Sequence, residues 1–321
     1  MKKTVGIIGA NGYTGSELIR LLAYHPEVEM TCLFSRSNSG VKISELYPDL
    51  AGICDVVLTN ELQKVDILFL CLPHKESQNW LTQNPIDAEV LVIDLGNDFR
   101  LEADFNNRKF IYGLPEINKT EIQTTKSIAN PGCFATAIQL ALLPLAEAGL
   151  LTDVYTTGIT GSTGAGQKLQ STTHFTWRND NISAYKTLTH QHVEEILMNL
   201  NSKTSNDVKL NFVPWRGDFA RGIFTSSTIK CDKSLEKVKA LFQDFYKDAK
   251  FVQVTDGHLD MKQVVNTNKC VIEIEQNEGF IVVHSAIDNL LKGASGQAVQ
   301  NMNLAMGWDE TLGLNLKPIA F

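Results

Sequence analysis

The stretch TVGIIGANGYTGSELIRLL, Thr4 to Leu22, runs a short apolar β segment into glycines at 9, 12 and 15, and then into an amphipathic helical period. Glycines so placed let a backbone approach a pyrophosphate. The following helix then offers its N-terminal amides and dipole to the anion. Standing alone, a GxxGxxG triplet is a tight turn as readily as a dinucleotide loop; its place between a first strand and a helix selects the second reading. Thr14 with Glu17 reads as a capping box. Gly9, Asn11, Gly12, Tyr13, Thr14 and Gly15 are the expected cofactor-binding residues of this loop. At the end of the next apolar run, MTCLFS, the sequence is Ser35-Arg36-Ser37, where NAD sites usually carry Asp or Glu. A guanidinium flanked by hydroxyls suits a 2′-phosphate, so NADP(H) is expected; the competing reading of Arg36 is a solvated loop residue.

Outward from this loop, strand-like runs (MTCLFS, DILFLCL, EVLVIDL and KSIAN) alternate with helical periods up to about residue 145. This alternation predicts an α/β fold built on a doubly wound parallel sheet of Rossmann type. From Asp153 the texture changes to longer alternating runs such as FTSSTIK, CVIEIEQ and FIVVHSA, with an amphipathic helix near Leu235 to Tyr246. An antiparallel sheet with helices on one face is expected there. The domain expectation is therefore residues 1–147 for cofactor, completed by a C-terminal helix over 294–321, and residues 148–293 for catalysis and oligomerisation. A sheet with one face covered also predicts a homo-oligomer, dimer or tetramer, through the other face.

A chain of 321 residues with 43% hydrophobic and 20% charged residues and a formal charge of -7 is that of a soluble globular protein. Nucleic acid and membranes are not expected partners, and no apolar stretch approaches the ~20 residues of a spanning helix. The six cysteines are scattered and contain no CxxC pair, which predicts free thiols and a reducing, cytoplasmic compartment.

NPGCFAT, Asn130 to Thr136, sets Cys133 between a Pro-Gly turn and an apolar helical run. Helix N-terminal amides favour an anion, so a thiol there is biased toward thiolate, the state of a nucleophile. His190 and His192 form HxH at the start of VEEILMNL, and one of them facing Cys133 would serve as an acid/base. No metal is expected, because no third ligand stands at a recognisable spacing from HxH. His25 and His258 read as surface residues. Arg100, after the strand VIDL, is placed to clamp a phosphate or carboxylate; Arg221 is a second candidate anion site, with an ion pair as its alternative. The loop GSTGAGQK, Gly161 to Lys168, lacks P-loop spacing and reads as a substrate or subunit-contact loop.

These segments together resemble the N-acetyl-gamma-glutamyl-phosphate reductases, of the aspartate-semialdehyde dehydrogenase superfamily. The resemblance runs through GANGYTG, DLGNDFR, YGLPE, NPGCFAT, GITGSTGAGQ, HQHVEEI, FARGI and DNLLKGASGQAVQNMN. The chain has DLGNDFR where DLSADFR is more usual, and glutamate where proline commonly precedes Glu-Ile. The resemblance implies Cys133 as nucleophile, His192 as acid/base with His190 beside it, and Arg100 meeting phosphate. It also implies Asn289 and Gly293 near the nicotinamide, with Asn130 and Gly132 shaping the thiol pocket. The implied activity is NADPH-dependent reduction of an N-acyl-γ-glutamyl phosphate, a small acyl phosphate, to the semialdehyde through a cysteine thioester. The acyl group (acetyl, succinyl or carrier-linked) stays open. Aspartate-semialdehyde dehydrogenase, aminoadipyl-phosphate reductase and a silent NADP-binding regulator are the alternatives. Gly132 and Phe134 argue against the first, which usually has Asn-Cys-Thr at the nucleophile.

One test follows from the second-strand motif. Arg36→Ala is expected to raise the KM for NADPH far more than that for NADH in parallel steady-state assays; an equal effect on both would remove the 2′-phosphate assignment.

Overall fold

The computed structural model describes residues 1–319 and divides the chain into two compact units. Unit 1 comprises Met1–Gly132 and Ala294–Asn315, and unit 2 comprises Cys133–Gly293 with the tail from Leu316.

In unit 1 the strands are β1 (Lys3–Ile8), β2 (Val28–Phe34), β3 (Ile67–Leu70), β4 (Leu91–Asp94), β5 (Ile111–Tyr112) and β6 (Ser127–Ala129). They form one sheet in the order β2-β1-β3-β4-β6-β5, all pairs parallel. β3 and β4 are buried along their whole length, as strands covered on both faces must be. Their apolar side chains join Phe34, Trp80, Phe99 and Phe110 in one core. The chain winds outward in opposite directions from β1, to β2 on one side and β3 on the other. That reversal makes a crevice at the carboxyl ends of β1 and β3, the usual ligand position in an open α/β sheet.

Gly9 leaves β1 at this crevice with φ +81, and a Cβ on it would lie 2.4 Å from the Cys71 carbonyl oxygen. A Cβ on Gly15 would lie 2.5 Å from the Gly9 oxygen. Only glycine fits either place. Helix α1 (Tyr13–Leu22) starts here with Gly12 as its N-cap and no capping side chain. The expected Thr14–Glu17 capping box is not formed, because the helix begins ahead of Thr14. Glu17 instead accepts from the Arg20 guanidinium at 2.9 and 3.2 Å.

Unit 2 holds a second sheet of strands β7 (Asp153–Thr160), β8 (Ser183–Ala184), β9 (Lys209–Arg216), β10 (Ile223–Lys230), β11 (Val252–Thr255), β12 (Cys270–Asn277) and β13 (Phe280–Ile287). Their order is β8-β9-β7-β10-β13-β12-β11. The sheet is mixed, not antiparallel as expected, since β9 runs parallel to β7 and β11 parallel to β12. The first parallel pair arises because the chain crosses over between β7 and β9 through a helix, His192–Asn201, and a parallel return requires such a crossover.

Helix α4 (Cys133–Glu147) lies on this sheet, against β10 and β13, after α2 (Glu76–Gln83) and α3 (Pro115–Thr124) of unit 1. Thirteen of its fifteen residues are buried. Helices α5 (His192–Asn201) and α6 (Leu235–Phe245) cover its remaining flanks. This moves the expected domain boundary: the break falls at Gly132/Cys133, not at 147/148, because α4 buries its apolar surface on the second sheet. Pro144 inside α4 cannot donate to the Leu140 carbonyl, and the Tyr246 hydroxyl supplies that bond at 2.6 Å.

The C-terminal segment is helical only as α7 (Gly296–Ala305), preceded by a π turn at Leu291–Ser295; residues 306–319 are turns and coil. The expected helix over 294–321 is thus cut short, and its last two positions lie outside the described residues. α7 packs within unit 1 against α1, α3 and β4.

Gly9→Ala is expected to cost about 2–4 kcal/mol, since it adds left-handed strain to an overlap with backbone that cannot retreat. Gly12→Ala, whose Cβ would meet nothing closer than 3.5 Å, is the control and should cost about 1 kcal/mol or less. Urea denaturation midpoints of the two variants check the difference.

Candidate active site

Cys133 is the first residue of α4 and is partly exposed, whereas the helix behind it is not. Its position is fixed from two sides. The next residue, Phe134, packs edge-on against Phe212 of β9 at 5.0 Å between centroids, and comes so close to Gly158 of β7 that a Cβ there would lie 2.7 Å from the ring. From the other side the π turn brings Gly293 in, where a Cβ would stand 2.8 Å from Cβ of Cys133. Glycine at 293 is a steric requirement of the thiol's position.

His190 and His192 arrive beside this helix. The loop before them is held to β9 by Tyr185 N–H to the Pro214 oxygen (3.1 Å) and Leu188 N–H to the Phe212 oxygen (2.9 Å). Lys186 and Leu188 take left-handed φ of 46° and 57° to make this turn, a local strain that the β9 bonds must hold. The His190 ring sits among Phe134, Phe212 and Tyr185 at centroid distances of 5.7, 5.5 and 5.7 Å, with the His192 ring 4.7 Å away. Burial in that aromatic box, and then the Lys186 charge, push its pKa down to about 4. His190 Nδ1 accepts the His192 backbone N–H at 3.2 Å, which leaves the proton of the neutral ring on Nε2. His192, also buried, is the first residue of α5. Cys133 is also a close neighbour of Tyr185: burial first, and the Cys133 charge second, raise the phenol's pKa.

Two residues expected to meet ligands are engaged within unit 2. Arg221 forms a two-point ion pair with buried Asp288 (3.1 and 3.2 Å), so the anion it holds belongs to the chain. Asn289 accepts from Gly222 N–H (2.8 Å) and donates to Thr163 Oγ1 (3.0 Å); its amide pins the 161–168 loop to the start of β10.

In unit 1, Asn130 is similarly committed, donating to the Ala294 oxygen and accepting from Asn301, both at 3.0 Å. It shapes the chain just ahead of Cys133. Arg100 is buried with Nε on the Asn130 oxygen (2.9 Å) and Nη2 on the Leu95 oxygen (3.1 Å). At the crevice, Ser35 is buried with its Oγ lacking a hydrogen-bond partner, and Arg36 and Ser37 are exposed at the end of β2. Asp94, at the end of β4, is fully buried; Ser77 Oγ and Gly96 N–H reach Oδ1 at 2.6 and 3.1 Å while Oδ2 has no partner. Burial raises its pKa to about 6. Among the described residues no cluster could hold a metal ion.

Tyr185 and Asp94 carry no motif in the sequence: Tyr185 meets His190 and the neighbourhood of Cys133 only in the fold, and Asp94 is marked by burial and by Ser77, 17 residues away. Sequence reading placed His25 on the surface, whereas His25 is buried, bonded to Asn303 Oδ1 at 3.0 Å, and its pKa is lowered by burial.

Comparison with known proteins gives two domain families: the semialdehyde dehydrogenase NAD binding domain over residues 4–125, and the semialdehyde dehydrogenase dimerisation domain over residues 133–289. The chain is 52% identical to the N-acetyl-gamma-glutamyl-phosphate reductase of Flavobacterium johnsoniae, covering 99% of both. It is 49% identical to that of Phocaeicola vulgatus, covering 98% of this chain and 99% of the relative. Among solved structures it is similar to aspartate semialdehyde dehydrogenase II of Vibrio cholerae, with TM-score 0.76, 17% identity, and coverage of 96% and 99%. The enzyme of Candida albicans with NADP gives TM-score 0.70 at 17% identity, with coverage of 95% and 99%. These two likenesses show the fold, and the end-to-end identity shows the family: the chain belongs to the N-acetyl-gamma-glutamyl-phosphate reductases.

Proposed function

We propose that this protein reduces an N-acyl-γ-glutamyl phosphate to the N-acylglutamate semialdehyde, releasing phosphate, with Cys133 as the acyl acceptor and NADPH as reductant. The observation that carries the reading is Cys133 at the start of a buried helix with two buried histidines beside it, in a chain half-identical throughout to reductases of that name.

The cofactor fits the crevice of unit 1. Gly9 and Gly15 exclude any Cβ, and α1 begins without a capping side chain, so its first amides are available to a pyrophosphate. The buried Ser35 hydroxyl and the exposed Arg36 and Ser37 suit a 2′-phosphate. When bound, NADPH supplies hydride to the acyl carbon.

The thiolate of Cys133 attacks the γ-carbonyl, and the C–O bond to phosphate breaks as the thioester forms. Arg100, anchored on two backbone oxygens at the carboxyl end of the parallel sheet, is the group assigned to the departing phosphate. After reduction the oxygen of the thiohemiacetal needs a proton, which His192 provides and then recovers as the C–S bond breaks. His190, held neutral with N–H on Nε2, is suited to orient and donate, but not to carry positive charge.

The dimerisation domain indicates a homo-oligomer, and we assign its contact to the sheet face away from α4, where Tyr155 is 60% exposed. The six free thiols fit a cytoplasmic setting.

Cys133→Ser should lower phosphate-dependent oxidation of N-acetylglutamate semialdehyde about a thousandfold or more while NADPH affinity stays within about twofold. A variant that turns over at a tenth of the native rate would exclude the thioester route. A second expectation concerns His190. A histidine whose pKa falls from 6.5 unfolded to about 4 folded contributes stability that is present above pH 6.5 and is lost as pH falls toward 4. Relative to His190→Asn, the native protein should therefore lose stability across that window. Urea midpoints for both proteins between pH 7 and 4 read this difference directly, and parallel curves would contradict the buried neutral state.

A further inference from the structure

Between β2 and β3 the chain makes an excursion, residues 35–59, that returns to the strand end it left: Ser35 N–H donates to the Thr59 oxygen and Thr59 N–H to the Leu33 oxygen, both at 2.9 Å. It is closed on itself, with Gly40 N–H on the Leu58 oxygen (2.8 Å) and Leu58 N–H on the Val41 oxygen (2.9 Å), and it buries Ile43 and Leu50. Two of its residues reach the same place. Asn38 Oδ1 accepts from Asn11 Nδ2 at 3.1 Å, and the Tyr47 hydroxyl donates to the Asn11 backbone oxygen at 2.7 Å. Asn38 Oδ1 also accepts from Ser37 Oγ at 2.8 Å, so the stretch that carries Arg36 is tied to the same point.

Asn11 stands in the glycine loop at the crevice, one residue before the Gly12 N-cap of α1. The start of that loop is tied to β2, since Gly9 and Ala10 N–H both reach the Phe34 oxygen, at 3.1 and 3.3 Å. The Asn11–Gly12 peptide follows. Its N–H, on Gly12, donates to the Gly9 oxygen at 3.0 Å and its oxygen accepts from Tyr47, so the peptide plane is pinned at both ends. Glycine at 12 offers little resistance of its own to turning such a plane. A carbonyl turned toward the first amides of α1 would set its negative end where an anion is to bind. An oxygen engaged by Tyr47 is kept from doing so.

We propose that Tyr47 and Asn38 are positioning residues for the cofactor: through Asn11 they fix the loop that receives the pyrophosphate and register it against the Arg36-Ser37 stretch that reads the 2′-phosphate. This rests on NADPH occupying the crevice as proposed above, and it adds residues that set affinity and nucleotide choice without touching the nucleotide. The two bonds have different consequences. Tyr47 acts on a peptide in the part of the site that NADPH and NADH share, so loss of its hydroxyl weakens both by the same factor. Asn38 holds Asn11 and Ser37 together, so its loss also frees the stretch with Arg36 and weakens NADPH more than NADH. Arg36 itself, exposed at the end of β2, affects NADPH alone.

The test needs no turnover: NADPH and NADH are titrated into the whole protein and binding is read from nucleotide fluorescence, with no acyl substrate present. Tyr47→Phe removes the hydroxyl and keeps the ring, and thermal midpoints without nucleotide establish that each variant folds. Tyr47→Phe should raise the Kd for both nucleotides about fivefold, leaving their ratio unchanged, and Asn38→Ala should raise that for NADPH about tenfold and that for NADH about threefold. Because Asn11→Ala and Asn38→Ala break one shared bond, the double variant should bind NADH no more weakly than Asn38→Ala alone. A loss confined to NADPH in Tyr47→Phe, or a lowered midpoint with both Kd values unchanged, overturns the assignment. A second readout is made on the nucleotide-free protein. Backbone amide exchange over residues 10–15 should quicken in Tyr47→Phe while β1 and β3 exchange as in the native protein. If the native protein binds neither nucleotide, the cofactor reading itself fails; exchange over 10–15 that is the same in native and variant overturns the role of Tyr47 alone.

Discussion

Helix α4 has to be dehydrated on every side, and the organisation of unit 2 follows from that requirement. Its sequence from Phe134 to Ala146 offers only Thr136 and Gln139 as polar side chains, and both are buried with the rest. A helix apolar all round cannot sit on a surface. The second sheet takes one face, α5 and α6 take others, and each large side chain so covered contributes roughly 1.5–3 kcal/mol. The consequence for chemistry is positional. A helix locked along its length cannot slide or rotate, so the thiol at its first residue is held as firmly as its core.

The same packing creates the electrostatics around that thiol. Phe134 and Phe212 are in place to bury α4, and the ring that fills the remaining space between them is His190. Solvation, not a specific charge, is the leading cause of its low pKa. An imidazole kept neutral by an aromatic box costs no buried charge and fixes its tautomer through one backbone N–H. Unit 1 solves the opposite problem on α7, where Gln297, Gln300, Asn301 and Asn303 are all buried. Their amide N–H groups find particular partners, as with Asn301 on the Gly113 oxygen at 2.8 Å and Asn303 on the Leu312 oxygen at 2.9 Å. Such bonds are satisfied in one register only, so they specify where the returning chain docks as much as they stabilise it.

What could be read from the sequence was whatever depends on neighbours in the chain. The Gly9 loop was legible because a turn from strand into helix leaves its mark within a few residues. The helix start at Cys133 was legible for the same reason. The capping box failed on a detail of phase, since a helix start two residues earlier, with Gly12 as N-cap, takes Thr14 out of that position. The antiparallel sheet failed because alternation reports that a strand is half-buried, not which way its partner runs; the α5 crossover decided that. Arg221 and Asn289 were assigned to ligands because their partners, Asp288 and Gly222, stand 67 residues away in sequence. Tyr47 and Asn38 were invisible for the converse reason: they meet the Gly9 loop at Asn11 from a separate segment, and neither carries a motif.

Comparison of two thiols in this chain separates residue type from reactivity. Cys71 directly follows β3 at the crevice, yet desolvation raises its pKa to about 12, the Asp94 charge adding to the effect against an opposing hydrogen bond from Thr14. At neutral pH it is a small polarisable group under the Gly9 loop, and its carbonyl oxygen is what makes glycine obligatory there. Cys133 differs in what surrounds it: helix amides on one side, two imidazoles and a phenol nearby, partial exposure, and a backbone turn at Gly293 that leaves no room for a Cβ. Both cysteines follow a strand of the same parallel sheet, Cys71 directly and Cys133 after the turn Asn130-Pro131-Gly132. That turn carries the chain far enough to begin a helix, so Cys133 stands at helix N-terminal amides, which favour an anion, whereas Cys71 does not.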